Sequence, residues 1–172
     1  MAARTDTFDL GRLRLTSGEG RRLVLGVPLG EFDFAGEHYA VEPPVVDAEL
    51  DVSRMTGGGY ALRLRFEAGL SGPCMRCLEP AAPVVAVDVR EVNQPGGGEE
   101  LQSPYVEEQE LDVSAWARDA YALALPNQVV CTPECAGLCP ECGANLNTAG
   151  DEHHHDEAPD PRWAKLRELR FD

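Results

Sequence analysis

Two Cys-x-x-Cys pairs constrain this chain more than any other feature. One is "CMRC", Cys74 to Cys77; the other lies in "CTPECAGLCPECGANLN", residues 131–147, where Cys131, Cys135, Cys139 and Cys142 crowd together. Two residues between thiolates let one tight turn present both sulfurs to a tetrahedral metal. Gly143, just past the second pair, allows the positive φ that such a turn takes. A single turn of this kind supplies only two of four ligands. The remaining ligands must come from a second pair, either in a distant segment or within the same cysteine cluster.

The opening, "MAARTDTFDLGRLRL", has no apolar run of signal-peptide length, and no stretch approaches a membrane span. A cytoplasmic chain is expected, where thiols stay reduced and clustered cysteines bind metal rather than form disulfides. Two ligand sets remain open. Cys74, Cys77, Cys139 and Cys142 would close one Cys₄ site from two knuckles, which is the preferred set; Cys131, Cys135, Cys139 and Cys142 would close a local one. Structural Zn²⁺ is the expected cofactor. A single iron in a rubredoxin-like site is the less favoured alternative, since aromatic residues make up only 6% of the chain. A thiol oxidoreductase would place its Cys-x-x-Cys at the start of a helix after a strand, whereas CMRC sits between two strand-like runs.

Those runs define the fold class. "YALRLRFEAGL" puts Leu62, Leu64 and Phe66 on one face and Arg63 and Arg65 on the other, and residues 83–92, "PVVAVDVREV", are again β-rich. "FDLGRLRL", residues 8–15, alternates in the same way, with Arg12 and Arg14 opposite Leu13 and Leu15. With "PVVDAELDVSRM" and the turn "TGGG", these predict an antiparallel meander over residues 8–93 and place CMRC at a hairpin tip. "LDVSAWARDAYALALP" changes period. It predicts a helix near 112–125 capped by Asp112 or Ser114, with Trp116, Tyr121, Ala124 and Leu125 inward and Pro126 at its end. The expected architecture is α+β: a β-rich domain over 1–130, a cysteine cluster over 131–147, an acidic His-rich linker over 148–159 and a C-terminal helix over 160–172. Trp163 and Leu166 would face inward on that helix.

Charge narrows the partners. The chain carries 30 acids and 15 bases, and residues 91–157 hold 14 of the acids with Arg118 as their one Arg or Lys. Such a surface repels phosphate backbones and suits a basic protein. If Arg12, Arg14, Arg63 and Arg65 align on neighbouring strands they form a basic patch able to touch RNA or a partner; otherwise they belong to a solvated, ion-paired sheet face. His38 reads as a surface or packed residue. His153, His154 and His155, in "DEHHHDE", read as solvated linker rather than as a loose transition-metal site, because consecutive histidines seldom share one metal. No GxSxG, HExxH, phosphate-loop or dinucleotide motif is present, so an enzyme is not expected.

In the order "CMRCLEP", "ALALP", "CAGLCPECGANLN" and "DPRWAKLREL", the chain resembles the YceD family, the large ribosomal RNA subunit accumulation proteins. The resemblance spans about residues 60–172. It implies a bacterial, cytosolic, non-enzymatic ribosome biogenesis factor needed for normal accumulation of large-subunit ribosomal RNA. A basic ribosomal or assembly protein is then the expected partner, with weak RNA contact at most. It implies no catalytic residues. The runner-up functions are an iron or thiol redox protein and an RNA-processing enzyme. This sequence departs from the family pattern by the insertion "TAGDEHHHDEA" before DPRW.

Overall fold

The computed structural model describes residues 4–150 and 153–155. The expected C-terminal helix, with Pro161, Trp163 and Leu166, lies outside the described residues, as does most of the linker's acidic half.

One strand organises the sheet. Strand β6 (Tyr60–Pro73) is 14 residues long and buries alternate side chains, Tyr60, Leu62, Leu64, Phe66, Ala68 and Leu70, while Arg63 and Arg65 face outward. Each of its edges is filled by more than one partner. Strand β5 (Val45–Arg54) pairs with Tyr60 to Arg65, and β4 (Glu37–Glu42) takes over on the same edge from Gly69 to Ser71. The opposite edge is covered by β8 (Val84–Asn93) from Tyr60 to Gly69 and by the short β7 (Pro80–Ala81) at Gly72 and Pro73. Strand β2 (Gly20–Pro28) extends the sheet beyond β5, and β3 (Phe32–Phe34) extends it beyond β4. All seven strands are antiparallel to their neighbours, so the β-rich, antiparallel class read from the alternation is the one observed. The path is not a simple meander, because the β3–β4 hairpin is inserted between β2 and β5.

The first expected strand is corrected. Only Thr7–Asp9 (β1) is extended; Asp9 then caps a 3₁₀ turn over Leu10–Leu13, accepting from the Gly11 N–H at 2.8 Å, and Arg14 follows in the left-handed region at φ 48°. The alternation of Leu and Arg is short and local there, and the Asp9 carboxylate offers the backbone a turn instead. Strand β1 joins β10 (Glu110–Asp112) and β9 (Val106–Glu107) in a separate three-stranded sheet.

Helix α1 (Val113–Ala124) starts where Asp112 accepts from the Ala115 N–H at 2.9 Å, the cap expected from the sequence. It buries Val113, Trp116, Ala117, Ala120 and Tyr121; Ala124, expected inward, is exposed, and Leu125 is half-buried at the cap. Tyr121 lies between Phe32 and Phe66 and donates its hydroxyl to the Ala68 carbonyl at 3.3 Å, so the helix is fastened to β6 itself.

The top of β6 is held against Tyr39. Its ring covers Gly72, and its hydroxyl donates to the Pro73 carbonyl at 2.9 Å, one residue before Cys74. A Cβ at position 72 would lie inside that ring. Gly72→Ala should therefore destabilise the chain by on the order of 1–3 kcal/mol through overpacking. Urea titration checks this, and an unchanged midpoint would contradict the packing at Tyr39.

Candidate metal centres

The hairpin from β6 to β7 turns through Cys74–Glu79, and its backbone is duplicated in the cysteine cluster. In the first turn the Cys74 N–H donates to the Glu79 carbonyl at 2.7 Å, and the Leu78 N–H donates to the Cys74 carbonyl at 3.0 Å. In the second the Cys139 N–H donates to Ala144 at 2.8 Å, and the Gly143 N–H donates to Cys139 at 2.9 Å. The residue after each pair is left-handed, Leu78 at φ 63° and Gly143 at φ 73°. Two thiol knuckles of one design thus come from different parts of the chain, the second made easy by glycine and the first imposed on a leucine.

The structure does not bring the expected ligand set together. Cys74 and Cys77 gather Cys131 and Cys135, whereas Cys139 and Cys142 gather His153 and His155. The local alternative, Cys131, Cys135, Cys139 and Cys142, is divided in the same way. Backbone register is the reason. Past helix α1 the chain docks on the first knuckle, where the Met75 N–H donates to the Val129 carbonyl at 2.8 Å. That contact delivers Cys131 two residues later, its Sγ 3.6 Å from that of Cys77. The chain then turns through Thr132–Cys135 and brings the Cys135 Sγ to 3.8 Å from that of Cys74. Gly137, at φ 79°, passes close to the Arg76 carbonyl, which accepts from the Leu138 N–H at 3.1 Å. The second knuckle therefore starts beyond the first thiol cluster and faces another centre.

Both clusters have the donor chemistry and spacing of a four-coordinate metal. Thiolates about 2.3 Å from a tetrahedral ion stand roughly 3.7 Å apart, close to the two Sγ separations in the Cys₄ cluster. Cys74 and Cys135 are almost fully buried, and the Asn147 amide donates to the Cys135 Sγ at 3.4 Å. Asn147 belongs to "GANLN", so this motif orients a ligand of the other cluster. In the second set Cys139 Sγ is 3.2 Å from His155 Nε2, and Cys142 Sγ is 3.6 Å from His153 Nε2.

Four crowded thiols do not ionise alike. For Cys74, burial opposes ionisation, but the amides of Arg76 and Cys77 outweigh it and bring the thiol down to about 6. For Cys77, the Glu79 amide favours the thiolate, yet burial and the three neighbouring sulfurs push it up to about 12. A divalent cation removes this conflict by giving every thiolate a counter-charge.

The structure sets His153 and His155, read from the sequence as solvated linker in preference to loose metal binding, beside Cys139 and Cys142. Their signal is arithmetic. Six cysteines leave two over after one Cys₄ site, and a His-x-His spacing can complete them without using adjacent positions. His38 lies on the surface between Asp33, 3.1 Å away, and Glu31, 3.4 Å away; the hydrogen bond to Asp33 holds its imidazole above the ordinary range.

The four arginines do not form one patch. Arg12 and Arg14 sit on the exposed 3₁₀ turn rather than on a strand of the large sheet. Arg63 forms a two-pronged pair with Asp88 through Nε and Nη2, with the Nε contact at 2.7 Å. Arg65 reaches Glu49 and Asp51, both at 2.9 Å, and Asp51 also accepts from Arg22. These pairs occupy the guanidinium groups that RNA phosphate would need.

The sheet and site define a small, antiparallel β-rich chain that carries two thiol knuckles and two clusters able to bind a metal ion. The family described as "Large ribosomal RNA subunit accumulation protein YceD" matches residues 62–170, more than half of the chain, and the chain belongs to this YceD family. An uncharacterized protein of Mycobacterium tuberculosis is 39% identical over 104 residues, covering 57% of this chain and 49% of its own length. A maize protein named large ribosomal RNA subunit accumulation protein YCED homolog 1, chloroplastic, is 28% identical over 185 residues, covering 86% of this chain and 60% of its own. The chain thus spans only about half the length of the mycobacterial relative. No solved structure matches it. Among the described residues no helix is long and apolar enough to cross a membrane.

The Arg22–Asp51–Arg65 network gives a pH signature. Hydrogen bonding to Arg22, opposed by partial burial and reinforced by Arg65, lowers the Asp51 carboxyl below its ordinary value. A depressed carboxyl contributes stability above its unfolded pKa and loses it as pH falls through the folded pKa. Asp51→Asn should cost roughly 1 kcal/mol at pH 7, and that cost should shrink on acidification below about pH 4. Urea midpoints of both proteins across pH would test this, and a pH-independent gap would contradict it.

Proposed function

We propose that this chain is a non-enzymatic, cytoplasmic ribosome biogenesis factor that supports accumulation of large-subunit ribosomal RNA by holding a basic ribosomal or assembly protein. Family membership carries the ribosomal part of this reading, since the family and its maize member are named for that accumulation. The fate of Arg118 supports a protein partner over RNA. This residue is the one Arg or Lys of segment 91–157, and its guanidinium is spent inside the fold. It donates to the carbonyls of Leu29 at 2.6 Å and Glu31 at 2.7 Å and lies over the Phe32 ring. Among the described residues of that segment, Glu100, Glu107, Glu108, Glu110, Asp119, Glu134 and Glu141 are exposed.

Four acids of the segment, Glu107, Glu108, Glu110 and Asp112, line with Asp9 and Tyr105 one groove of about 720 Å³ beside the small sheet. A Lys- or Arg-rich segment is the occupant whose charge complements it, and its approach would be steered and salt-sensitive. The Cys₄ cluster serves as a structural Zn²⁺ site in this reading. Its four ligands leave no open position, and a site of this kind contributes on the order of 10 kcal/mol to holding its segments together. Iron in that cluster would instead point to a redox protein.

The test is capture from cells at physiological salt with the wild type and with Glu107→Lys/Glu108→Lys/Glu110→Lys. The wild type should recover a basic large-subunit or assembly protein, and the triple variant should lose most of it while keeping its fold. Recovery of no ribosomal or assembly protein by the wild type would overturn the reading.

A further inference from the structure

The His-rich insertion carries a ligand pair. We propose that Cys139, Cys142, His153 and His155 form a second zinc site, separate from the Cys₄ cluster and placed at the protein surface, which fastens the insertion to the second knuckle.

Four observations converge. The four donor atoms lie within 4.8 Å of one another. A tetrahedral ion with sulfur at about 2.3 Å and nitrogen at about 2.0 Å needs S···N gaps near 3.5 Å and N···N gaps near 3.3 Å. The S···N distances here are 3.2 and 3.6 Å, and His153 Nε2 lies 3.0 Å from His155 Nε2. Next, the knuckle around Cys139 and Cys142 has the same hydrogen bonds as the one that presents Cys74 and Cys77. A knuckle aims both sulfurs at one point, and no other cysteine among the described residues joins this pair there.

One of the two imidazoles, that of His155, is oriented by a carboxylate. His155 Nδ1 lies 3.3 Å from a carboxylate oxygen of Glu141, the residue inside the knuckle. That carboxylate places the proton on Nδ1 and turns the Nε2 lone pair toward the sulfurs, the arrangement by which an outer carboxylate orients a metal-bound histidine. Finally, the spacing avoids the objection to consecutive histidines. His153 and His155 point to one centre, while the exposed His154 between them takes no part.

The two sites differ in character. Two thiolates and two neutral imidazoles give a zinc site with no net charge, whereas four thiolates leave a charge of −2. Cys142 and His155 are exposed, while Cys74, Cys77 and Cys135 are buried. The outer site should therefore exchange its ion with a chelator first.

The experiment is zinc analysis of tag-free, full-length protein saturated with Zn²⁺ and then passed through a desalting column. The wild type should retain two zinc ions per chain. His153→Asn/His155→Asn should retain one, Cys142→Ser should also retain one, and His154→Asn should retain two. Addition of a chromophoric chelator should release zinc from the wild type in two phases, with the fast phase missing from the double histidine variant. Far-UV circular dichroism confirms that each variant is folded. One zinc per wild-type chain would overturn the proposal, and so would two zinc ions retained by the folded double histidine variant.

Discussion

The contact on which the candidate site depends is the hydrogen bond between the Met75 N–H and the Val129 carbonyl, at 2.8 Å. It fixes the register of everything after helix α1 against the tip of the β6 hairpin. From it follow Cys131 beside Cys77, the return of Cys135 to Cys74 and the passage of Gly137 across Arg76. The hairpin tip is rigid enough to act as a template because β6 is paired along both edges and Tyr39 closes over Gly72. The order of dependence runs from sheet to knuckle to cluster.

This arrangement gives a small chain two kinds of stabilisation. The alternating side chains of β5 and β6 and the buried face of α1 form an apolar core that needs no metal. Among the described residues after Pro126 only Val129, Cys135, Gly137 and Cys139 are buried, so burial alone is a weak reason for them to stay folded. The short backbone bonds around the knuckles contribute there, and the proposed metal ligation would supply the rest. The outward face is kept neutral by cross-strand pairs such as Arg63–Asp88, while the acids beside β9 and β10 stay without a base from their own segment. One face is thereby ion-paired, and the other is the face that the proposed basic partner would use.

The sequence is most legible where a single period governs. Leu62, Leu64 and Phe66 against Arg63 and Arg65 specify the centre of the sheet, and Asp112 with Pro126 brackets the helix. The same rule misleads at residues 10–15, where an Asp9 cap competes with a short alternation. Ligand pairing was not legible from spacing, because spacing shows which cysteines share a turn and not which turns face each other. That choice rests on Val129 and Arg76, whose roles are backbone bonds with no signature in residue type. The place of the histidine pair was obscured by composition, since "DEHHHDE" reads as solvated charge until Cys139 and Cys142 are seen beside it.

Amide hydrogen exchange with zinc bound and after chelation tests the central claim most directly. Local opening free energies separate a metal-held unit from an apolar core. The account predicts that removing the metal deprotects the Met75, Leu138 and Cys139 amides by at least tenfold while the amides of Leu64 and Val89 in the sheet centre keep their protection. Equal protection of Met75 and Leu138 with and without metal would contradict it, because the cluster would then be held to the hairpin by packing alone.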